Sequence, residues 1–135
     1  MTEKSLKAVL VVIAIYHVVT GALALFAPDT FFDQIGHYGV ENSHYVGDVG
    51  AFMLAFGVAV GISVVRATWR PPILWLGALW YGFHAFNHAF DTGEAKSEAR
   101  GWSDTILLAF GAVGAAWLAR VSERLNRESA RGGAG

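Results

Sequence analysis

Hydrophobic positions in this chain gather into four long runs rather than alternating with polar ones. The runs cover Leu6–Ala27, Val46–Val65, Pro72–Phe90 and Ser103–Val121. Each approaches the ~20 residues that an α-helix needs to cross a bilayer core of ~30 Å. The pattern predicts an all-α fold: a four-helix transmembrane bundle forming one integral membrane domain, with residues 122–135 as a tail.

Local signals place the ends of these runs. Pro71 and Pro72 predict a sharp start to the third helix. Ser103 is expected to cap the fourth, with Asp104 in its first turn suiting the helix dipole. Asp29 or Thr30 is expected to cap a short helix carrying Phe31, Phe32 and Ile35 along a membrane surface. Gly36, His37, Tyr38 and Gly39 then read as its end and a turn. The segment from Arg131 to Gly135 is expected to be disordered.

Polar positions inside the runs have helical spacing. At ~100° per residue, His84, Asn87, His88 and Asp91 share one face, which Gly77, Trp80 and Tyr81 extend along the helix. His44 and Asp48 are four apart, and they share a face if the second helix begins early enough. Asp104 continues into Leu108, Gly111 and Ala115, and His17 lies near the middle of the first run. A polar stripe in lipid turns toward the bundle interior or a wet cavity. Gly57 and Gly61 form a GxxxG pair suited to close helix contact, within the bundle or with a second copy.

Charge adds an orientation. Lys4, Lys7, Arg66, Arg70, Arg120, Arg124, Arg127 and Arg131 flank one side of the predicted bundle, and only Lys96 and Arg100 the other. Asp29, Asp33, Glu41, Asp48, Asp91, Glu94, Glu98 and Asp104 gather on the side poor in cations. Basic flanks stay in the cytoplasm. Both termini are therefore expected inside a plasma (inner) membrane, with loops 28–45 and 91–102 facing out. Lys4, Lys7 and Ala22-Leu23-Ala24 imitate a secretory leader, but the run is longer than the usual ~7–15 residues, and three more follow it. It reads as an uncleaved first helix.

Composition fits the same class. Hydrophobic residues make up 54% of the 135, and charged residues 16%, well under the ~25% of soluble domains. The net charge of −1 gives no support to a nucleic-acid partner. The absence of cysteine excludes disulfides, thiolate metal sites and iron–sulfur clusters. No GxSxG, Walker loop, dinucleotide glycine fingerprint or HExxH is present.

The candidate chemistry is a metal site. His84 and His88, four apart, can share one ion as first ligands, with Asp48 and Asp91 completing the set. Asn87 and Asp104 would orient those ligands, and His44 and Tyr81 are accessory candidates. Imidazole and carboxylate suit zinc, iron, copper or manganese. That reading gives an outward-facing His/Asp metal-binding membrane protein, with oxidoreductase-like chemistry open to it. In the first alternative, the cluster only ties helices together in a non-enzymatic structural or accessory subunit. In the second, His17 with His84 or His88 holds a b-type haem for electron transfer. The expected partners are the lipid bilayer and a homo-oligomer or larger membrane complex.

Two strings carry a family resemblance: Gly47-Asp48-Val49-Gly50-Ala51-Phe52 and His84-Ala85-Phe86-Asn87-His88-Ala89-Phe90-Asp91. They resemble those of small four-span membrane proteins of actinobacterial type, in the DoxX-like and DUF4345-like group. The likeness spans roughly residues 8–121. It implies a four-helix membrane bundle and supplies no reaction, substrate or ligand. Any thiol–quinone chemistry of DoxX-type relatives cannot pass to a chain without cysteine.

Overall fold

The computed structural model describes residues 1–36 and 38–132, and among them all regular structure is helical, with no strand. His37, expected in the first turn, and residues 133–135 of the tail lie outside the described residues. Five α-helices follow in order: α1 (Glu3–Phe26), α2 (Pro28–Phe31), α3 (Ser43–Val65), α4 (Arg70–Phe90) and α5 (Glu98–Gly132).

Three of these, α1, α3 and α5, are long and apolar enough to cross a membrane, rather than the four expected. α4 has 21 residues but carries Tyr81, His84, Asn87 and His88 in its second half, which dilutes its apolar character. The three span-length helices expose apolar side chains. Val12 and Val19 of α1 are 67% and 60% exposed, and Phe110 and Val113 of α5 are 71% and 69% exposed. Such a band suits contact with lipid rather than water. α5, at 35 residues, measures about 52 Å and outruns a ~30 Å bilayer core.

The helix starts differ in detail from the expected ones. Thr2 caps α1 by accepting from the Ser5 N–H. Asn42 caps α3 in the same way through Tyr45, so His44 is helical. Ser103 is not a cap: α5 begins five residues earlier, and the Ser103 hydroxyl donates to the Ala99 carbonyl. Pro71 and Pro72 do occupy the first turn of α4. The short helix carrying Phe31 is present as α2, with Asp29 and Thr30 inside it rather than capping it, and it widens into a π-helical turn over Phe32–Gly36. Arg131 and Gly132 remain helical, not disordered as expected.

The architecture is two antiparallel hairpins laid side by side. α1 pairs with α3, and α4 with α5, while contacts between the hairpins are sparse. Small residues set the first pairing. A side chain at Gly57 would meet the Val18 amide nitrogen at 2.7 Å, so only glycine permits this approach. A Cβ at Gly61 would meet the Ala14 Cβ at 3.9 Å, so both glycines of the GxxxG pair face α1 of this chain.

Both chain ends lie at one end of the bundle, here the terminal end, and loops 27–42 and 91–97 lie at the loop end. Arg70, starting α4, reaches Glu3 at the start of α1 with both carboxylate oxygens at 2.9 Å. Asn126 of α5 donates to the Ala67 carbonyl nearby, and the Trp75 indole N–H donates to Glu123. The apolar core built from Leu6, Leu10, Val60, Leu74, Leu118 and Ala119 fills this half.

Candidate functional site

Toward the loop end the hairpins part. Between them is a cavity of about 630 Å³ to which all the long helices contribute. That is within the ~300–1,000 Å³ usual for small-molecule sites. Its floor is Met53 of α3 with Trp80 and Tyr81 of α4, and its roof is Phe31, Ile35 and Gly36. The two loops close over it, because the Gly39 N–H donates to the Glu94 carbonyl at 3.1 Å. At the side, Tyr16 of α1 and Leu107 of α5 line it while 54% and 67% exposed. α1 and α5 barely touch each other. The cavity therefore opens between these two helices, whose outer faces are apolar, and also at the loop end, where Asn87, Glu94 and Arg100 line it while exposed.

The polar stripe of α4 enters this space as the helical spacing implied. His84, Asn87, His88 and Asp91 all line it, joined by Asp104 from α5. His84 and His88 approach Nε2 to Nε2 at 3.0 Å. Two imidazoles can share that contact only if one nitrogen carries a proton and the other a lone pair. The second nitrogen of His88, Nδ1, is buried and has no partner among the described residues. Leaving such a group unpaired costs about 1–3 kcal/mol. Asn87 donates to Asp91 at 3.2 Å.

Asp104 is held from both sides. Arg100, one turn earlier, pairs with it at 3.1 Å, and the Tyr38 hydroxyl donates to it at 3.4 Å. The Tyr38 ring also packs edge-on over His88 with centroids 4.3 Å apart. Burial, and next the Asp104 carboxylate, push the Tyr38 phenol above its usual range.

The remaining expected residues are placed elsewhere. His44 and Asp48 pair with each other at 3.7 Å on α3, with side chains 79% and 67% exposed, and neither lines the cavity. The buried face of α3 is Gly50, Met53, Phe56, Gly57 and Val60. At ~100° per residue, Asp48 is half a turn away from Gly57. Asp48 therefore does not complete a ligand set with His84 and His88. Among the described residues, no three His, Asp or Glu side chains converge as metal ligands would.

His17 is buried between the hairpins, and both its nitrogens are engaged. Nδ1 donates to the Ile13 carbonyl at 2.8 Å, which leaves Nε2 to accept from the Tyr81 hydroxyl at 2.7 Å. Phe56 and Trp80 pack against its ring at 4.9 and 5.9 Å. Neither nitrogen is free for an iron in this arrangement. His17 and Tyr81 instead bridge the two hairpins at the cavity floor.

The part some residues play in the cavity was not legible. Phe31 and Ile35 were expected along a membrane surface and Tyr38 in a turn, yet with Glu94 they line the cavity from the connections between the long helices. Arg100 could have been found, being four residues before Asp104 on one helix face.

Fold and site together define an all-helical chain with three span-length helices and a half-lined polar cavity between two hairpins. Comparison with protein-family models, curated proteins and solved structures finds no match to this chain.

Proposed function

We propose that this chain is a membrane-embedded binding protein whose cavity takes a small amphiphilic molecule from the bilayer. In this reading α4 completes a four-helix bundle, its polar face turned inward, with both termini cytoplasmic in the plasma membrane. The observation that carries it is the lateral cavity, apolar at its floor and roof and polar along the α4 stripe. An apolar chain would lie against Met53, Trp80 and Leu107. The polar end would lie along the stripe of His84, Asn87, His88 and Asp91, which lines the cavity.

The test is quenching of Trp80 fluorescence by amphiphiles with brominated dodecyl chains, in bilayer discs. The expected result is a saturable component that disappears in Trp80→Phe. Quenching that rises only in proportion to the amphiphile in the bilayer would contradict a defined site.

A second reading, metal binding, keeps one observation in its favour. A metal–nitrogen bond of ~2.0–2.1 Å lets two imidazole nitrogens on one ion approach as closely as His84 and His88 do. Among the described residues no third protein ligand joins them, which weighs against it. Cobalt(II) added to the purified protein would give histidine-dependent visible bands, lost in His84→Ala, if that reading held.

A further inference from the structure

The rim of the cavity says what kind of head group it takes. Three carboxylates stand there, Asp91, Glu94 and Asp104, against one cation, Arg100. Arg100 is already paired with Asp104 at 3.1 Å. Asp91 and Glu94 have no cationic partner among the described residues. The wider surface has the same sign, since loops 28–45 and 91–102 with the adjoining helix starts carry eight acids and two cations. An anionic head would meet two uncompensated negative charges at the only described polar end of the cavity.

Aromatic faces continue inward from that rim. Tyr38 and His88 are 4.3 Å apart near the mouth, and Trp80 and Tyr81 are 5.0 Å apart below. Phe31 closes from above. Organic cations bind where aromatic faces and carboxylates surround them, because the ring quadrupole attracts positive charge. A hydrated metal cation would gain nothing from the apolar floor, and a neutral head would gain at most a hydrogen bond from the acids, without charge pairing.

We infer that the ligand is a cationic amphiphile, an alkylammonium-type head on an apolar chain, held by Asp91 and Glu94 with its chain over Trp80 and Met53. This rests on the proposed amphiphile-binding role and narrows its ligand class. Electrostatic attraction also raises the local concentration of such cations at an acidic mouth.

The test compares three brominated probes of equal chain length: a dodecyltrimethylammonium, a dodecanol and a dodecyl sulfate. Each is titrated against the full chain in discs of zwitterionic lipid, reading the Trp80-dependent saturable quenching. The ammonium should bind about tenfold tighter than the alcohol, and the sulfate weakest. In Asp91→Asn with Glu94→Gln that advantage should fall to near unity, while the alcohol binds as before. Unchanged alcohol binding also shows that the double variant is folded.

Equal or tighter binding of the alcohol or the sulfate overturns the cationic assignment and leaves the amphiphile site standing. An ammonium preference that survives the double variant also overturns it, since the rim would not be its source. Absence of saturable quenching by any of the three overturns the assignment and the amphiphile role together.

Discussion

The two ends of the bundle use similar residues to opposite effect. At the terminal end, Arg70 is 2% exposed yet has every guanidinium nitrogen engaged: it donates to both Glu3 oxygens and to the Ser63 and Val64 carbonyls. Those two carbonyls belong to the last turn of α3, where helix geometry leaves acceptors without partners. At the loop end, His84, Asn87, His88 and Asp91 line a cavity instead of being enclosed by partners on every side. Polar groups that are closely paired hold a structure together. Polar groups that line a half-apolar space remain available to a ligand.

The contrast predicts a graded series, read as thermal unfolding in mild detergent. Arg70→Ala should be the most damaging change, at about 3 kcal/mol, because it strips partners from Glu3 and from the α3 terminus at once. Glu3→Gln should cost under about 1 kcal/mol, since Glu3 is half exposed and water replaces its partner. Equal losses in the two variants would show that the ion pair, rather than the helix-end capping, is what matters.

Tyr81→Phe comes next. It should cost about 1–2 kcal/mol by leaving the buried His17 Nε2 without a donor. Adding His17→Phe should recover part of that loss, because no buried polar atom then remains unpaired. A further loss in the double variant would show that packing of the His17 ring, not its hydrogen bond, joins the hairpins.

His88→Phe should change stability by less than about 1 kcal/mol, since it removes an unsatisfied nitrogen along with one shared contact. The same variant should lose saturable amphiphile binding. A stability loss as large as that of Arg70→Ala would erase the distinction between the two ends.

The smallest effect is expected with pH. Tyr38 holds its proton more tightly in the folded chain than in the unfolded one. Its contribution is therefore complete below the unfolded value of about 10 and declines as pH rises above it. In Asp104→Asn the cause next after burial is removed, so the phenol should ionise at lower pH in an ultraviolet absorbance titration. An unchanged midpoint would mean that Asp104 does not hold it.

How much of this was legible in the sequence differs by element. The apolar runs announced the helices because lipid permits few other arrangements of backbone. The α4 stripe was legible because His84, Asn87, His88 and Asp91 follow helical spacing. The same stripe is why α4 falls outside the helices apolar enough to span by composition. Asp48 was misplaced because spacing does not say which face of α3 turns inward. Gly50 and Gly57 decide that by meeting α1 closely, which sends Asp48 and His44 outward. The start of α5 was read late because Ser103 imitates a cap, while its hydroxyl serves an internal carbonyl instead. The cavity itself was not legible, because the parting of two hairpins is a property of their packing.

The central claim is that an amphiphile occupies the space between the hairpins rather than coating the lipid-facing surface. Photolabelling with a diazirine-bearing alkyl amphiphile in bilayer discs, followed by peptide mapping, tests it most directly. The account predicts labels concentrated on Met53, Trp80 and Leu107, reduced by excess unlabelled amphiphile. Labels spread over Val12, Phe83 and Val113, and indifferent to competition, would contradict it.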